Sequence, residues 1–169
     1  YKCSDKYNAS VVVRITADDP FKDPNVNDRA IRILLENNYD YVSNTLTPTF
    51  PEGLDVEVFT HSALKQAYSN ATLDSEREHV TPYIWKNKGI FNIHNFEHTE
   101  DISDFRWTID YEEDLNFIRN IYKKLDLRKI PIEMNDVLKV LKENPEIIKL
   151  QKKFIRNEGY IKSLSEDRN

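Results

Sequence analysis

The apolar pattern begins at Val11-Val12-Val13, inside a β-branched run at 10–16 that carries one charge, Arg14. Apolar residues on both faces predict a buried strand of the parallel kind. The run stops at Ala17-Asp18-Asp19-Pro20, where proline cannot continue a ladder and two acids stand at the strand's C-terminal edge. Val26, Ala30, Ile33 and Leu34 then recur at helical spacing and predict a helix over 25–37. Short strands are predicted at 39–43 and 54–60, on either side of a Thr/Pro loop at 44–53. Helices at 62–71 and 74–87, strands at 90–96 and 106–109, and a well-patterned helix at 111–125 follow. The end of the chain reads as two helices, 133–143 and 145–157, with Pro145 in a first turn and Gly159 just past the last turn. Strands alternating with helices define an α/β fold with a mixed, mostly parallel sheet at 1–127 and a helical tail at 128–169. Ligands of such sheets bind beyond the carboxyl ends of the strands, a rule that singles out Asp18, Asp19 and Asp110.

Composition narrows the class of function. Hydrophobic residues make up 39% and charged ones 31% of the 169 residues, the balance of one soluble globular domain. With 24 Lys and Arg against 29 Asp and Glu the net charge is −5, which argues against a nucleic-acid partner, because phosphates call for surplus cations. No apolar run approaches the ~20 residues of a membrane helix. Cys3 is the single cysteine, so there is no disulfide framework, and the reducing cytoplasm is the expected compartment. Only three glycines occur, where a usual share of ~7% would give about twelve. Neither G-x-G-x-x-G nor G-x-x-x-x-G-K-[ST] is present to cradle a phosphate. The chain starts at Tyr1 with no Met and no signal-like stretch, and a processed or partial form of something longer is the expectation.

Several positions could carry chemistry. Asp18 and Asp110 each follow a predicted strand, and two carboxylates at neighbouring strand ends suit Mg²⁺, which completes its shell with water and phosphate oxygens. The same residues also read as turn and cap chemistry, Asp18-Asp19-Pro20 as a turn and Asp110 with Glu113 as a helix start. Arg14, inside an apolar strand, either snorkels at an edge or pairs with a carboxylate or a ligand anion. Ser75 with Glu78 forms a capping box, and His79 faces either solvent or a cleft. The other histidines, His61, His94 and His98, lack zinc-ligand spacing. Asp55 and Glu57 share one strand face, which reads as a solvated face or as a pair that holds sugar hydroxyls. Trp107 and Tyr111 are either core aromatics or a stacking surface for a sugar or base.

Taken together these segments resemble the spore-coat polysaccharide cytidylyltransferase family, relatives of CMP-Kdo and CMP-acylneuraminate synthetases. The likeness lies in Val13-Arg14-Ile15-Thr16-Ala17-Asp18-Asp19-Pro20 with Asp23-Pro24, and in Asp40-Tyr41-Val42-Ser43-Asn44. It continues through Gly53-Leu54-Asp55-Val56-Glu57 and Ser75-Glu76-Arg77-Glu78-His79-Val80-Thr81-Pro82-Tyr83-Ile84. Arg106-Trp107-Thr108-Ile109-Asp110 with Glu113-Asp114, and Arg156-Asn157-Glu158-Gly159-Tyr160, complete it. The resemblance implies a Rossmann-like nucleotidyltransferase fold of the glycosyltransferase-A type. It implies Mg²⁺-dependent transfer of CMP from CTP to an acidic or otherwise modified sugar for surface polysaccharide or glycan biosynthesis, with a helical tail that either docks a second subunit in a homodimer or covers the sheet. Asp18 and Asp110 are then the implied metal ligands and, with Arg14, the implied catalytic set. Asn44, Asp55, Glu57, Arg77, Glu78 and His79 are implied on the sugar side.

One departure qualifies this. The family's nucleotide loop, R-x-G-S-x-R-L-P-G-K, is absent, and only thirteen residues precede Arg14. The expectation is a cytidylyltransferase whose nucleotide loop lies outside these residues, so that this chain alone is inactive. The alternative is a non-catalytic sugar-binding or interaction module that has lost the loop. A nucleotide-sugar glycosyltransferase on the related fold would want D-x-D at a strand end, which Asp18-Asp19-Pro20 does not supply.

Overall fold

The computed structural model describes residues 1–151 and 155–167. After a short helix α1 (Lys2–Lys6) the chain forms β1 (Val11–Arg14), α2 (Pro24–Glu36), β2 (Tyr41–Ser43) and β3 (Glu57–Thr60). Helices α3 (His61–Asn70), α4 (Asp74–His79) and α5 (Pro82–Lys86) lead to β4 (Ile93–Asn95). Then come α6 (Glu112–Tyr122), α7 (Met134–Glu143), α8 (Pro145–Ile148) and α9 (Glu158–Glu166).

The four strands form one open mixed sheet in the order β1-β3-β2-β4. Because β3 lies between β1 and β2 and runs against both, two ladders are antiparallel, and only β2–β4 is parallel. The mixed sheet is as expected, but its parallel share is smaller. β1 is therefore an antiparallel strand with only β3 beside it among the described residues, and Val13 is 40% exposed. Valine-rich runs read alike at an edge and in the middle of a sheet, which is why pattern alone placed it inside.

Alternation along β2 and β3 gives the sheet two apolar faces. Val42 and Val58 face the larger core, with Val26, Ala30 and Leu34 of α2, Phe117, Ile118 and Ile121 of α6, and Val137, Val140 and Leu141 of α7. Tyr41 and Phe59 face a second cluster with Ala63, Leu64 and Ala67 of α3 and Ile84 of α5. Each fully buried side chain of this size contributes on the order of 1.5–3 kcal/mol. Residues 134–148 of the helical tail share the larger core. The start of α2 is tied into it as well: Asp23 accepts from Asn25 N–H (2.7 Å) as its cap and from Met134 N–H (2.7 Å) at the start of α7.

Three further expectations change. Residues 106–109 make a single parallel bridge, Arg106 to Glu52, and no longer strand. The helix expected at 74–87 breaks at Val80, whose φ of 72° and ψ of −50° turn the chain so that Thr81 N–H bonds His79 C=O (2.8 Å). That three-residue turn is a strained one for a β-branched side chain. The helix expected at 145–157 ends at Ile148, and its positions 152–154 lie outside the described residues. Gly159 sits in the first turn of α9 rather than past a helix end.

Candidate active site

Gly53 sets the floor of the site. Its φ of 107° is open to glycine, and a Cβ there would lie 2.7 Å from the Trp107 carbonyl carbon. This close approach lets Trp107 N–H bond Glu52 C=O (2.6 Å) and sets the bridge between Glu52 and Arg106. Buried Arg106 then meets three carboxylates: Glu52 (2.8 Å), Asp114 (3.1 Å) and Asp110. Burial weakens the guanidinium's charge preference, but Asp114, Glu52 and Asp110 overcome this and hold it firmly protonated. Asp114 is in turn held below the usual carboxylate range: burial raises it, and hydrogen bonds from Arg106 and from the backbone of Asp110 and Tyr111 outweigh that. Ile109 N–H bonds Asp18 C=O (3.0 Å), so the chain after β1 and the turn at Asp110 lie side by side.

A second charge centre is Glu57 on β3, 7% exposed rather than on a solvated face. Its Oε1 accepts from Tyr41 Oη–H (2.6 Å) and Thr81 Oγ1–H (2.5 Å), and its Oε2 from Arg14 (2.5 Å). Arg14 thus pairs with a carboxylate, and its side chain keeps 31% exposure. The tyrosine hydroxyl is pushed well above its ordinary pKa by burial and by Glu57. Asp19 accepts from Thr16 (2.6 Å) and pairs with Lys22 (2.8 Å). Burial pushes the Asp55 carboxyl up to about 6 against the opposing pull of Arg156, its partner at 2.5 Å, and of Lys22.

These groups surround a cleft of about 860 Å³. Of the residues expected at a site, Arg14, Asp18, Asp55, Glu57, His79 and Asp110 line it. Asn44, Arg77 and Glu78 do not. Asn44 is fully buried and bonds Leu54 C=O and Val56 N–H (both 2.9 Å), so it shapes the loop beneath. Arg77 donates to Ala71 C=O (2.7 Å) and Glu78 accepts from Ser163 (2.7 Å), both holding helices together. The cleft also takes Tyr111, one of the two aromatics expected as a stacking surface, and Glu52, Thr81, Trp85, Arg106 and Tyr160, which sequence reasoning did not select. The spacing Arg106, Asp110, Asp114 was a usable signal, since one arginine amid Phe105 and Trp107 needs acid partners. Trp107 itself is fully buried and no stacking surface.

The carboxylates fit a magnesium ion of the kind that takes few protein ligands. Asp18 is exposed, with no side-chain hydrogen bond or ion pair among the described residues, and Asp110 is half exposed with one oxygen on Arg106. No cluster of three His, Cys, Asp or Glu side chains suited to a metal occurs among the described residues. Two carboxylates completed by water and phosphate oxygens remain, which is a Mg²⁺ donor set.

An open mixed sheet whose loops build an acidic cleft is the arrangement of a nucleotidyltransferase. The family model described as cytidylyltransferase matches residues 1–155, and the chain belongs to the cytidylyltransferase family. It is 38% identical over 149 residues to an uncharacterized protein of Methanocaldococcus jannaschii, covering 87% of this chain and 59% of that protein. It is 30% identical over 140 residues to the spore coat polysaccharide biosynthesis protein SpsF of Bacillus subtilis, covering 81% and 57%. The solved structure of a cytidylyltransferase from Leptospira borgpetersenii superposes with a TM-score of 0.83 at 30% identity, covering 91% of this chain and 65% of that one. The chain thus spans under two thirds of the length of the relatives it matches. Among the described residues no helix is long and apolar enough to cross a membrane.

Proposed function

We propose that the protein containing this chain transfers CMP from CTP to a sugar with the help of Mg²⁺, making an activated CMP-sugar for a surface polysaccharide or glycan. The observation that carries this reading is the backbone bond from Ile109 to Asp18, which sets Asp18 and Asp110 on one cleft wall in a chain of cytidylyltransferase descent. In the reaction a sugar hydroxyl oxygen bonds to the α-phosphorus of CTP and gives up its proton to solvent, the bond to the bridging oxygen breaks, and pyrophosphate leaves with its electron pair. Asp18 and Asp110 would hold the metal. Bound there, Mg²⁺ would neutralise charge on the phosphoryl oxygens and orient the departing pyrophosphate.

The chain's own residues do the rest. Arg106 fixes Asp110 from beneath, so that the carboxylate is placed before substrate arrives. Arg14 and Thr81 occupy Glu57, which therefore shapes the wall. Asp55 and His79 remain to meet sugar hydroxyls. The contacts to the nucleotide base are assigned to residues outside this chain, and the protein to the cytoplasm, where CTP is made.

The test is pyrophosphate release by the full-length protein with CTP, Mg²⁺ and a panel of sugars, with the product's mass read as sugar plus CMP. No release with any sugar, while sugar still binds, would leave a non-catalytic sugar-binding module. For the chain of 169 residues alone, CTP and Mg²⁺ should give little thermal stabilisation, since mass action needs a bound ligand.

A further inference from the structure

The last described helix, α9, brings the tail back to the cleft, which Tyr160 and Lys162 line. It is seated mainly by polar bonds, since Ser163 is its one buried residue. Ser163 bonds Glu78 (2.7 Å) and His79 (3.0 Å), and Asp167 accepts from the N–H (3.0 Å) and hydroxyl of Ser75. Those contacts hold the middle and end of the helix against α4. Its start is held by other groups. Asn157, with a left-handed φ of 58°, donates its N–H to Glu52 Oε1 (3.2 Å), and Glu158 Oε2 accepts from Tyr111 Oη–H (3.0 Å).

Both of these starting bonds lead to Asp110. The other oxygen of Glu52 takes Arg106 (2.8 Å), so a single carboxylate joins the tail to the guanidinium that holds Asp110. Tyr111 follows Asp110 directly in the chain, and the Arg106 guanidinium carbon stands 5.9 Å from the centre of its ring. On the core side, Asp114 accepts from the backbone N–H of Asp110 (3.1 Å) and of Tyr111 (3.0 Å). On the solvent side, where Asp110 is 48% exposed, the tip of Tyr111 is tied to Glu158. The turn is thus held at its backbone by α6 and at its outer rim by α9. Groups that hold a metal-binding carboxylate in one direction raise its affinity without touching the ion.

We infer that the first turn of α9 positions the metal wall of the cleft: Glu158 through Tyr111, and Asn157 through Glu52 and Arg106, hold the Asp110 carboxylate in its direction toward the ion. Glu158, Tyr111 and Glu52 are positioning residues, since each acts through another side chain or through the turn. This rests on the metal role proposed above for Asp18 and Asp110 and adds to it a dependence on the tail. The strand ends supply the acids, and a segment about 45 residues further along the chain sets the direction of one of them.

The experiment compares full-length wild type with Glu158→Ala, Glu158→Gln, Tyr111→Phe and the double variant Glu158→Ala/Tyr111→Phe, by two readouts that need no turnover. Hydrogen exchange followed by mass spectrometry reads the backbone over 106–115, and the spin resonance signal of free Mn²⁺, titrated without nucleotide, reads the metal site. Glu158→Ala and Tyr111→Phe should each speed exchange over that segment and raise the Kd for Mn²⁺ about threefold. That is less than the roughly 10–100-fold of a direct outer partner, because the route through Glu52 stays. The double variant should be no weaker than either single one, since both remove the same bond. Glu158→Gln should keep wild-type values, because its amide oxygen still accepts from Tyr111. In the assay with CTP, Glu158→Ala should need more Mg²⁺ for half-maximal rate while KM for the sugar stays within twofold. Unchanged exchange in both single variants overturns the inference. Faster exchange with an unchanged Kd for Mn²⁺ overturns it too, and would leave α9 a structural brace. If wild type binds no Mn²⁺, the metal role of Asp18 and Asp110 fails by itself; faster exchange in the variants then keeps the hold of α9 on the Asp110 turn, and unchanged exchange removes it.

Discussion

Two buried charges flank the cleft, and the protein satisfies them in opposite ways. Arg106 is one cation among three carboxylates, two of them buried and the third, Asp110, 48% exposed at the cleft. Glu57 is one anion closed off by one arginine and two hydroxyls. The first centre has surplus negative charge and delivers it where a cation and phosphates would meet. The second has no surplus and works as a joint between β1, β2, β3 and the turn before α5. Number of partners alone would rank them equal; the sign of the remainder separates a chemical wall from a structural one.

The sharpest way to break the comparison is Arg106→Leu. Removing the cation strands Glu52 and Asp114 as buried acids, and we expect a loss of about 3–5 kcal/mol in urea unfolding. A variant as stable as wild type would mean that the acids do not depend on the guanidinium. Asp110→Asn should leave the fold nearly untouched, since Glu52 and Asp114 still hold Arg106, yet lower turnover by at least about 10², the scale of a principal electrostatic contribution. Wild-type turnover in that variant would remove Asp110 from the metal set. Glu57→Gln keeps a hydrogen-bond acceptor but removes the countercharge of Arg14, and should cost about 2 kcal/mol of stability. A larger loss than that of Arg106→Leu would reverse the ranking of the two centres.

Asp55 provides a pH test. Its pKa is about 6 in the folded protein against an ordinary 3.8, so between these values the folded state keeps a proton that the unfolded state has released. Its contribution to stability therefore declines as pH rises from about 4 through about 6 and is level above. Asp55→Asn should remove that part of the slope when urea midpoints of both proteins are compared from pH 4.5 to 7. Parallel curves would mean that Arg156 keeps the carboxylate ionised throughout. The smallest effect is expected at the turn between α4 and α5, where Val80→Gly relieves a positive φ and should stabilise the protein by up to about 1 kcal/mol.

Much of the frame was legible because it depends on local pattern. The spacing of Val26, Ala30 and Leu34 marks the buried side of α2, while its cap at Asp23 came from the structure. Asp18 and Asp110 were legible as acids beyond strands and Asp55 as one of two acids on a strand face, and all three line the cleft. The break at Val80 was not legible, since a valine with positive φ has no compositional mark and is imposed by what packs on either side. Nor was α9, whose residues carry a modest apolar pattern and are fixed by long-range bonds from Ser75, His79 and Tyr111. Arg77 and Glu78 stand beside His79 in sequence, yet point to helix contacts rather than to the cleft.

By itself the sequence determined the apolar spacing that makes α2 and α6 helices, the excess of acid, the scarcity of glycine, and the cytidylyltransferase descent written in its ordered motifs. Those are properties of neighbours along the chain and of summed composition. Tertiary structure alone decided that β3 inserts between β1 and β2, that Glu57 is buried and not solvated, and that Tyr160 and Lys162 return from the tail to the mouth of the cleft. The physical reason is that a charge or a ring gains its role from groups distant in sequence, and burial fixes which of them it meets.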